Sequence, residues 1–205
     1  MLALHSRRGW VFDLDGTLTK PVHDFGHIRD QLGIPRTADI LHYLAALPPA
    51  EAKPRYERLQ AIEEELSAQT EAAPGAVASV VHLAARGVRL GILTRNDRTI
   101  ARQTLARIGL DAYFPEEQII GRGEAEPKPS PDGLCRLARA WGVAASELVM
   151  VGDYLFDLQT GRAAGAVTVH VDPSGLFSWP ELADLRLTSL HELPPLVNGE
   201  TEPVR

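Results

Sequence analysis

A chain of 205 residues with 44% hydrophobic and 23% charged residues can bury one substantial core, which excludes wholesale disorder. Its formal net charge of −6 excludes a general affinity for nucleic acid, which needs a basic surface, but leaves room for a local anion site. A single cysteine, Cys135, cannot close an internal disulfide, no stretch has membrane-spanning length, and a cytoplasmic protein is expected.

In chain order, the first element is the most informative. Trp10-Val11-Phe12 is a continuous apolar run, the pattern of a strand buried on both faces of a parallel sheet. It runs directly into Asp13-Leu14-Asp15-Gly16-Thr17-Leu18-Thr19. Carboxylates leaving a core strand are poor structural material, because buried charge is costly unless paired or metal-bound. Ligands of open parallel sheets bind beyond this same carboxyl edge. From Lys20 to about Ala73 no strand pattern occurs. Ile40, Leu41, Leu44 and Leu47 make one apolar stripe at helical spacing, and Leu59, Ile62 and Leu66 make another. Pro35, Pro48, Pro49 and Pro54 should break these helices, and Glu63, Glu64 and Glu65 read as a solvated face. An all-helical insertion over residues 20–73 is expected, with residues 1–19 and 74–197 as the core and a frayed tail from Asn198.

After Pro74-Gly75 the alternation of strands and helices resumes. A helix is expected over Ala76–Arg86, then a strand over Val88–Leu93 ending in Thr94-Arg95-Asn96-Asp97. Asp97 or Asn96 can cap the next helix, which runs to about Ile108. A short strand near Gln118–Ile120 leads to the loop carrying Lys128, and Pro131 suits the first turn of a helix through Trp141. The strand Leu148–Val151 ends in Gly152-Asp153. A helix over Leu155–Ala164 and strands over Ala166–Val171 and near Arg186–Thr188 complete the pattern. Such alternation predicts an α/β fold, a Rossmann-like doubly wound parallel sheet.

In a parallel sheet Asp13, Thr94 and Asp153 would share the carboxyl edge, with Lys128 nearby and Asp157 one helical turn beyond Asp153. A carboxylate about 4 Å from a phosphate dianion meets roughly 8 kcal/mol of repulsion at an effective dielectric near 20. Lys128 alone would not offset three such carboxylates, whereas Mg²⁺, which takes carboxylates, waters and phosphate, would. In the insertion, His23 and His27 are four apart but lack the surroundings of a zinc motif, and read as packing residues. Lys53, Arg55 and Arg58 read as neutralising the glutamates downstream or as meeting an anionic substrate tail.

The runs FDLDGTLT, ILTRN, KPSP and GDYLFD, in this order between Trp10 and about Val171, resemble the four motifs of the haloacid dehalogenase superfamily, in its phosphoglycolate-phosphatase-like branch. The resemblance implies a nucleophile and metal ligand in Asp13, and a general acid/base in Asp15 that also offers its backbone carbonyl to the metal. Thr94 and Lys128 would hold the phosphoryl group, with backbone N–H groups around Gly16 and Arg95. Asp153 would ligate Mg²⁺, and Asp157 would support the metal or orient Lys128. The implied activity is Mg²⁺-dependent hydrolysis of a small phosphorylated metabolite through an aspartyl-phosphate, under a helical cap. A sugar phosphomutase shares the four motifs. A haloacid dehalogenase, which usually lacks an acid at the position of Asp15, and a non-catalytic phosphate-binding domain fit less well. Two positions depart from the family pattern: Tyr154 replaces a small residue, and Arg95, where many relatives have Asn, either touches substrate or points to solvent.

Overall fold

The computed structural model describes residues 3–200. Six strands form one sheet: β1 (Gly9–Phe12), β2 (Arg89–Leu93), β3 (Ile119–Ile120), β4 (Leu148–Gly152), β5 (Val167–Val171) and β6 (Leu185–Leu187). Their order is 3-2-1-4-5-6 and every pairing is parallel. β1 is central, with Trp10 opposite Leu90 on one side and Val149 on the other. The strand order therefore reverses at β1, and ligands of open α/β sheets bind at such a switch point.

All four residues of β1 are buried, which is why its sequence is apolar without alternation. Trp10 and Phe12 enter one core with Ile92 and Val151, while Val11 enters a second with Leu93 and Met150. The chain first departs into three helices, α1 (Phe25–Leu32), α2 (Ile40–Ala45) and α3 (Pro49–Ser67). Helices α4 (Ala76–Ala85) and α5 (Arg98–Arg107) then cover the first face through Val80, Leu83, Ala101 and Leu105. On the second face lies α6 (Asp132–Trp141), through Leu134 and Leu137, with α7 (Leu155–Ala164) packed beside it. A short α8 (Leu193–Asn198) returns to the first face with Leu193 and Val197 buried. Asn198 thus ends a helix instead of opening a frayed tail, and residues 201–205 lie outside the described residues. Pro194 and Pro195 hid this helix, yet both fall in its first turn, where a missing N–H costs nothing.

Helices α1–α3 enclose their own cluster of Ile28, Leu32, Ile40, Leu44, Leu59 and Ile62. Asp24 and Asp39 cap α1 and α2 by accepting from the N–H groups of His27 and His42. The chain leaves and re-enters the α/β unit side by side, with the Lys20 N–H donating to the Glu71 carbonyl and the Ala73 N–H to Leu18. Two expectations fail here. Pro54 does not break α3: it lies in the second turn, and the buried Leu59 and Ile62 hold the helix beyond it. Glu63 is not solvated. Residues 59, 62, 63 and 66 occupy one helical stripe, so Glu63 follows Leu59 and Ile62 into the interior, where it is only 8% exposed. There it accepts two hydrogen bonds from Arg122 of the core, at 3.1 and 2.5 Å.

Candidate active site

The site is built at the end of β1. The Asp13 N–H donates to the Val151 carbonyl at 2.9 Å, so the ladder with β4 continues one residue past the strand and fixes the Asp13 backbone. The chain then turns through Gly16 at φ +94°, where a Cβ would stand 2.5 Å from the Asp153 Oδ2. Only glycine both adopts this backbone and admits the carboxylate. The Gly16 N–H donates to Thr19 Oγ1 at 3.2 Å, and the Thr17 hydroxyl donates to Asp153 Oδ1 at 2.9 Å. This turn thereby ties the end of β1 to the end of β4.

Lys128 arrives from its loop and is buried. Its Nζ donates to Asp13 Oδ1 and to Asp157 Oδ1, at 2.6 Å each. Asp157 Oδ2 accepts from the Tyr154 N–H at 3.1 Å, so both oxygens of this carboxylate are engaged. On the β2 side, Thr94 Oγ1 accepts from the Asn96 N–H at 3.0 Å, and the Asn96 side-chain amide donates to Asp15 Oδ2 at 3.3 Å. Asp13, Asp153 and Asp157 each offer an oxygen within 4.8 Å of the other two.

Four carboxyls meet one ammonium here, and the titration of Asp15, Asp153 and Asp157 records the imbalance. Burial, reinforced by Asp13 and Asp157, pushes Asp153 up to about 8. Burial also raises Asp157 to about 6, although Lys128 pulls it down. Asp15 is raised by burial against the opposing pull of His23 and the Asn96 hydrogen bond. Burial disfavours the Lys128 ammonium, but Asp13 and Asp157 outweigh it and hold this group well above its ordinary range. The cluster cannot be fully ionised with Lys128 as its sole cation. An all-oxygen donor set with this excess of negative charge fits a hard divalent cation.

The structure thus brings Asp13, Asp15, Gly16, Thr94, Lys128, Asp153 and Asp157 to one edge. The Arg95 side chain neither points to solvent nor stands free. Its Nη2 donates to Asp39 Oδ1 at 2.7 Å, and its guanidinium lies 5.0 Å from the centre of the Phe156 ring. Tyr154 is 51% exposed and packs edge-on against Phe156 and Trp179, forming an aromatic wall beside Asp153. Arg55 donates to the carbonyls of Leu32 and Glu51, and Arg58 to the Gln31 side chain, so both brace the insertion and neither neutralises a downstream glutamate. Lys53 does approach Glu57, at 4.0 Å. His23 stacks on Phe25, and His27 contacts Gln31.

Several positioning residues escaped the sequence. Thr17 and Asn96 stand inside the motif runs, but nothing local says which carboxylate each will hold. His170, nearly fully buried on β5, sets its Nε2 3.2 Å from the Asp153 carbonyl oxygen. Asp39 and Arg122 had no signal at all, because their partners are distant in the chain, and for Glu63 the only signal was its place on the stripe of Leu59 and Ile62.

Residues 8–165 match the family of haloacid dehalogenase-like hydrolases. The chain belongs to this family. An uncharacterised hydrolase of Saccharomyces cerevisiae is 31% identical over 196 residues, covering 92% of this chain and 90% of the relative. Hexitol phosphatase A of Escherichia coli is 27% identical over 205 residues, covering 91% and 93%. A phosphoglycolate phosphatase of Cereibacter sphaeroides is 33% identical over 180 residues, covering 77% and 81%. A solved hydrolase from Pseudomonas syringae shares the fold with a TM-score of 0.74 at 24% identity, covering 95% of this chain and 99% of that one. As a haloacid dehalogenase-like hydrolase with relatives named phosphatase, the protein is an enzyme of the phosphatase type. No helix among the described residues is long and apolar enough to cross a membrane.

Proposed function

We propose that this hydrolase is a Mg²⁺-dependent phosphatase that cleaves a small phosphomonoester through an aspartyl-phosphate on Asp13. The observation that carries the reading is the state of Asp13. Its Oδ1 is pinned by the Lys128 ammonium, which leaves Oδ2 to attack phosphorus. Attack forms the bond from Oδ2 to phosphorus and breaks the bond from phosphorus to the ester oxygen. Asp15, two residues on and raised by burial, hands its proton to that oxygen, so the leaving alcohol departs neutral. The Asp15 carboxylate then takes a proton from water, whose oxygen attacks phosphorus and frees Asp13. Asn96 holds the Asp15 carboxyl for both transfers.

Mg²⁺, held by Asp13, Asp153 and the Asp15 carbonyl, would supply the positive charge that allows a phosphate dianion to enter this acidic cleft. Asp157, with both oxygens engaged, positions Lys128 and the start of α7. The Thr94 hydroxyl and the N–H groups near Gly16 and Arg95 would complete the phosphoryl cradle. The helical insertion, residues 20–73, would act as a cap, a role supported by its two ion pairs to the core, Asp39–Arg95 and Glu63–Arg122. The two phosphatase relatives differ in leaving group, a polyol in one and a carboxylic acid in the other. The test is release of p-nitrophenol from p-nitrophenyl phosphate with Mg²⁺ present. Wild type should show it, and EDTA or Asp13→Asn should abolish it. Undiminished turnover in EDTA or in Asp13→Asn would refute the mechanism.

A further inference from the structure

Resting on the phosphatase reading above, the basic groups around the cleft bear on the class of ester it takes. Lys128 is shared between Asp13 and Asp157. Arg122 is paired with Glu63, and Arg98 with Glu124. Arg95, between Thr94 and Asn96, is paired with Asp39. Each of these lysine and arginine side chains already faces a carboxylate.

The Asp39–Arg95 pair differs from the others in what it leaves unspent. Its side chains are 32% and 26% exposed, so small molecules can reach it. Asp39 Oδ1 accepts from Arg95 Nη2 and from the His42 N–H, while Oδ2 has no donor among the described residues. Arg95 Nη1 has no acceptor among the described residues and, unlike Nε, is not fully buried. An unused acceptor and an unused donor therefore stand on adjoining side chains. Phe156 lies under the guanidinium, and the exposed Tyr154 ring continues the same wall. A hydroxyl donates and accepts at once, and its carbon chain has C–H faces suited to aromatic rings. A carboxylate placed here would gain from Arg95 what it loses to Asp39, and would still surrender its hydration.

We infer that Asp39 and Arg95 are a hydroxyl-reading pair, and that the ester taken by this site carries an uncharged polyhydroxylated chain rather than a second acid group. Asp39 is the residue that withholds Arg95 from acids. Removing its charge should therefore convert a polyol-selective site into one that admits carboxylates.

Asp39→Asn makes this test without breaking α2, because asparagine caps a helix as well as aspartate does. Turnover is compared for glycerol 3-phosphate, erythritol 4-phosphate and phosphoglycolate with Mg²⁺. Wild type should favour the two polyol esters over phosphoglycolate by at least about tenfold in kcat/KM. In Asp39→Asn that ratio should fall by at least about tenfold, with phosphoglycolate gaining in absolute terms. A wild-type preference for phosphoglycolate, or an equal shift for both ester classes in Asp39→Asn, would overturn the inference. Calorimetric binding of the same esters to Mg²⁺-treated Asp13→Asn protein separates this from the phosphatase reading. Should wild type hydrolyse no ester at all, that reading falls. Polyol esters binding at least about tenfold tighter than phosphoglycolate would still uphold the pair's role, and equal or weaker binding would overturn it.

Discussion

Lys128→Met asks how much one ammonium contributes to this fold. Nζ lies 2.6 Å from Asp13 Oδ1 and from Asp157 Oδ1, and the three side chains are 4%, 10% and 3% exposed. Methionine preserves the volume but leaves two buried carboxylates without a cation. Removing one partner of a buried pair costs about 3–5 kcal/mol. At this chain length about 2–4 °C of melting temperature accompanies each kcal/mol, so a fall of roughly 6–20 °C is expected in EDTA. The sign with pH follows from the same carboxylates. Asp157, already raised by burial and now without the opposing pull of Lys128, holds a proton in the folded state that the unfolded chain releases, so stability falls as pH rises, and the deficit should be smaller at about pH 5 than at about pH 8. Adding Asp157→Asn removes one of the stranded charges and should recover part of the loss. Thermal unfolding of the single and double variants, in EDTA and in Mg²⁺, measures all of this. A drop below about 2 °C in EDTA at neutral pH would mean that the buried pair contributes no more than a surface one, refuting the argument. Turnover assayed well below the melting point should fall roughly 10²–10³-fold, as for other preorganised charge-stabilising groups.

Three further outcomes are expected. Asp153 titrates at about 8 in the folded chain against 3.8 unfolded, so between those values the folded state binds more protons and stability declines with rising pH. That slope, at most about 1.4 kcal/mol per pH unit, should appear in EDTA and flatten with Mg²⁺; a flat melting profile in EDTA would contradict it. Asp15→Asn should lose alkyl phosphatase activity yet give a burst of p-nitrophenolate near one equivalent, because that weakly basic group departs without a proton. Rapid quench reads the burst, and normal turnover of alkyl phosphates would reverse the roles assigned to Asp13 and Asp15. Glu63→Gln leaves the mostly buried Arg122 without its counter-charge and should cost about 1–3 kcal/mol, with faster hydrogen exchange along α3; unchanged exchange would remove this pair from the docking of the insertion.

The motif runs were legible because their physics is local. An apolar run too short for a helix, with no polar alternation, signals a strand buried on both faces, and β1 is such a strand. Charged residues at its end are expensive to desolvate, so Asp13 and Asp15 announce chemistry before any partner is known. Helix periodicity located α3, but only a full turn-by-turn count puts Glu63 on the buried stripe. The helix α8 was hidden behind its prolines.

By itself, then, the sequence determined which residues end the strands of a parallel sheet, and with them the acids, hydroxyl and ammonium of the site. The tertiary structure alone decided which of these groups meet. Lys128 reaches Asp13 across 115 positions, Thr17 reaches Asp153 across 136, and Arg95 reaches Asp39 across 56. Periodicity and desolvation act over a few residues and leave their mark in local pattern. Pairing at such separations depends on strand order and on where the helical insertion comes to rest, neither of which any short stretch of chain encodes.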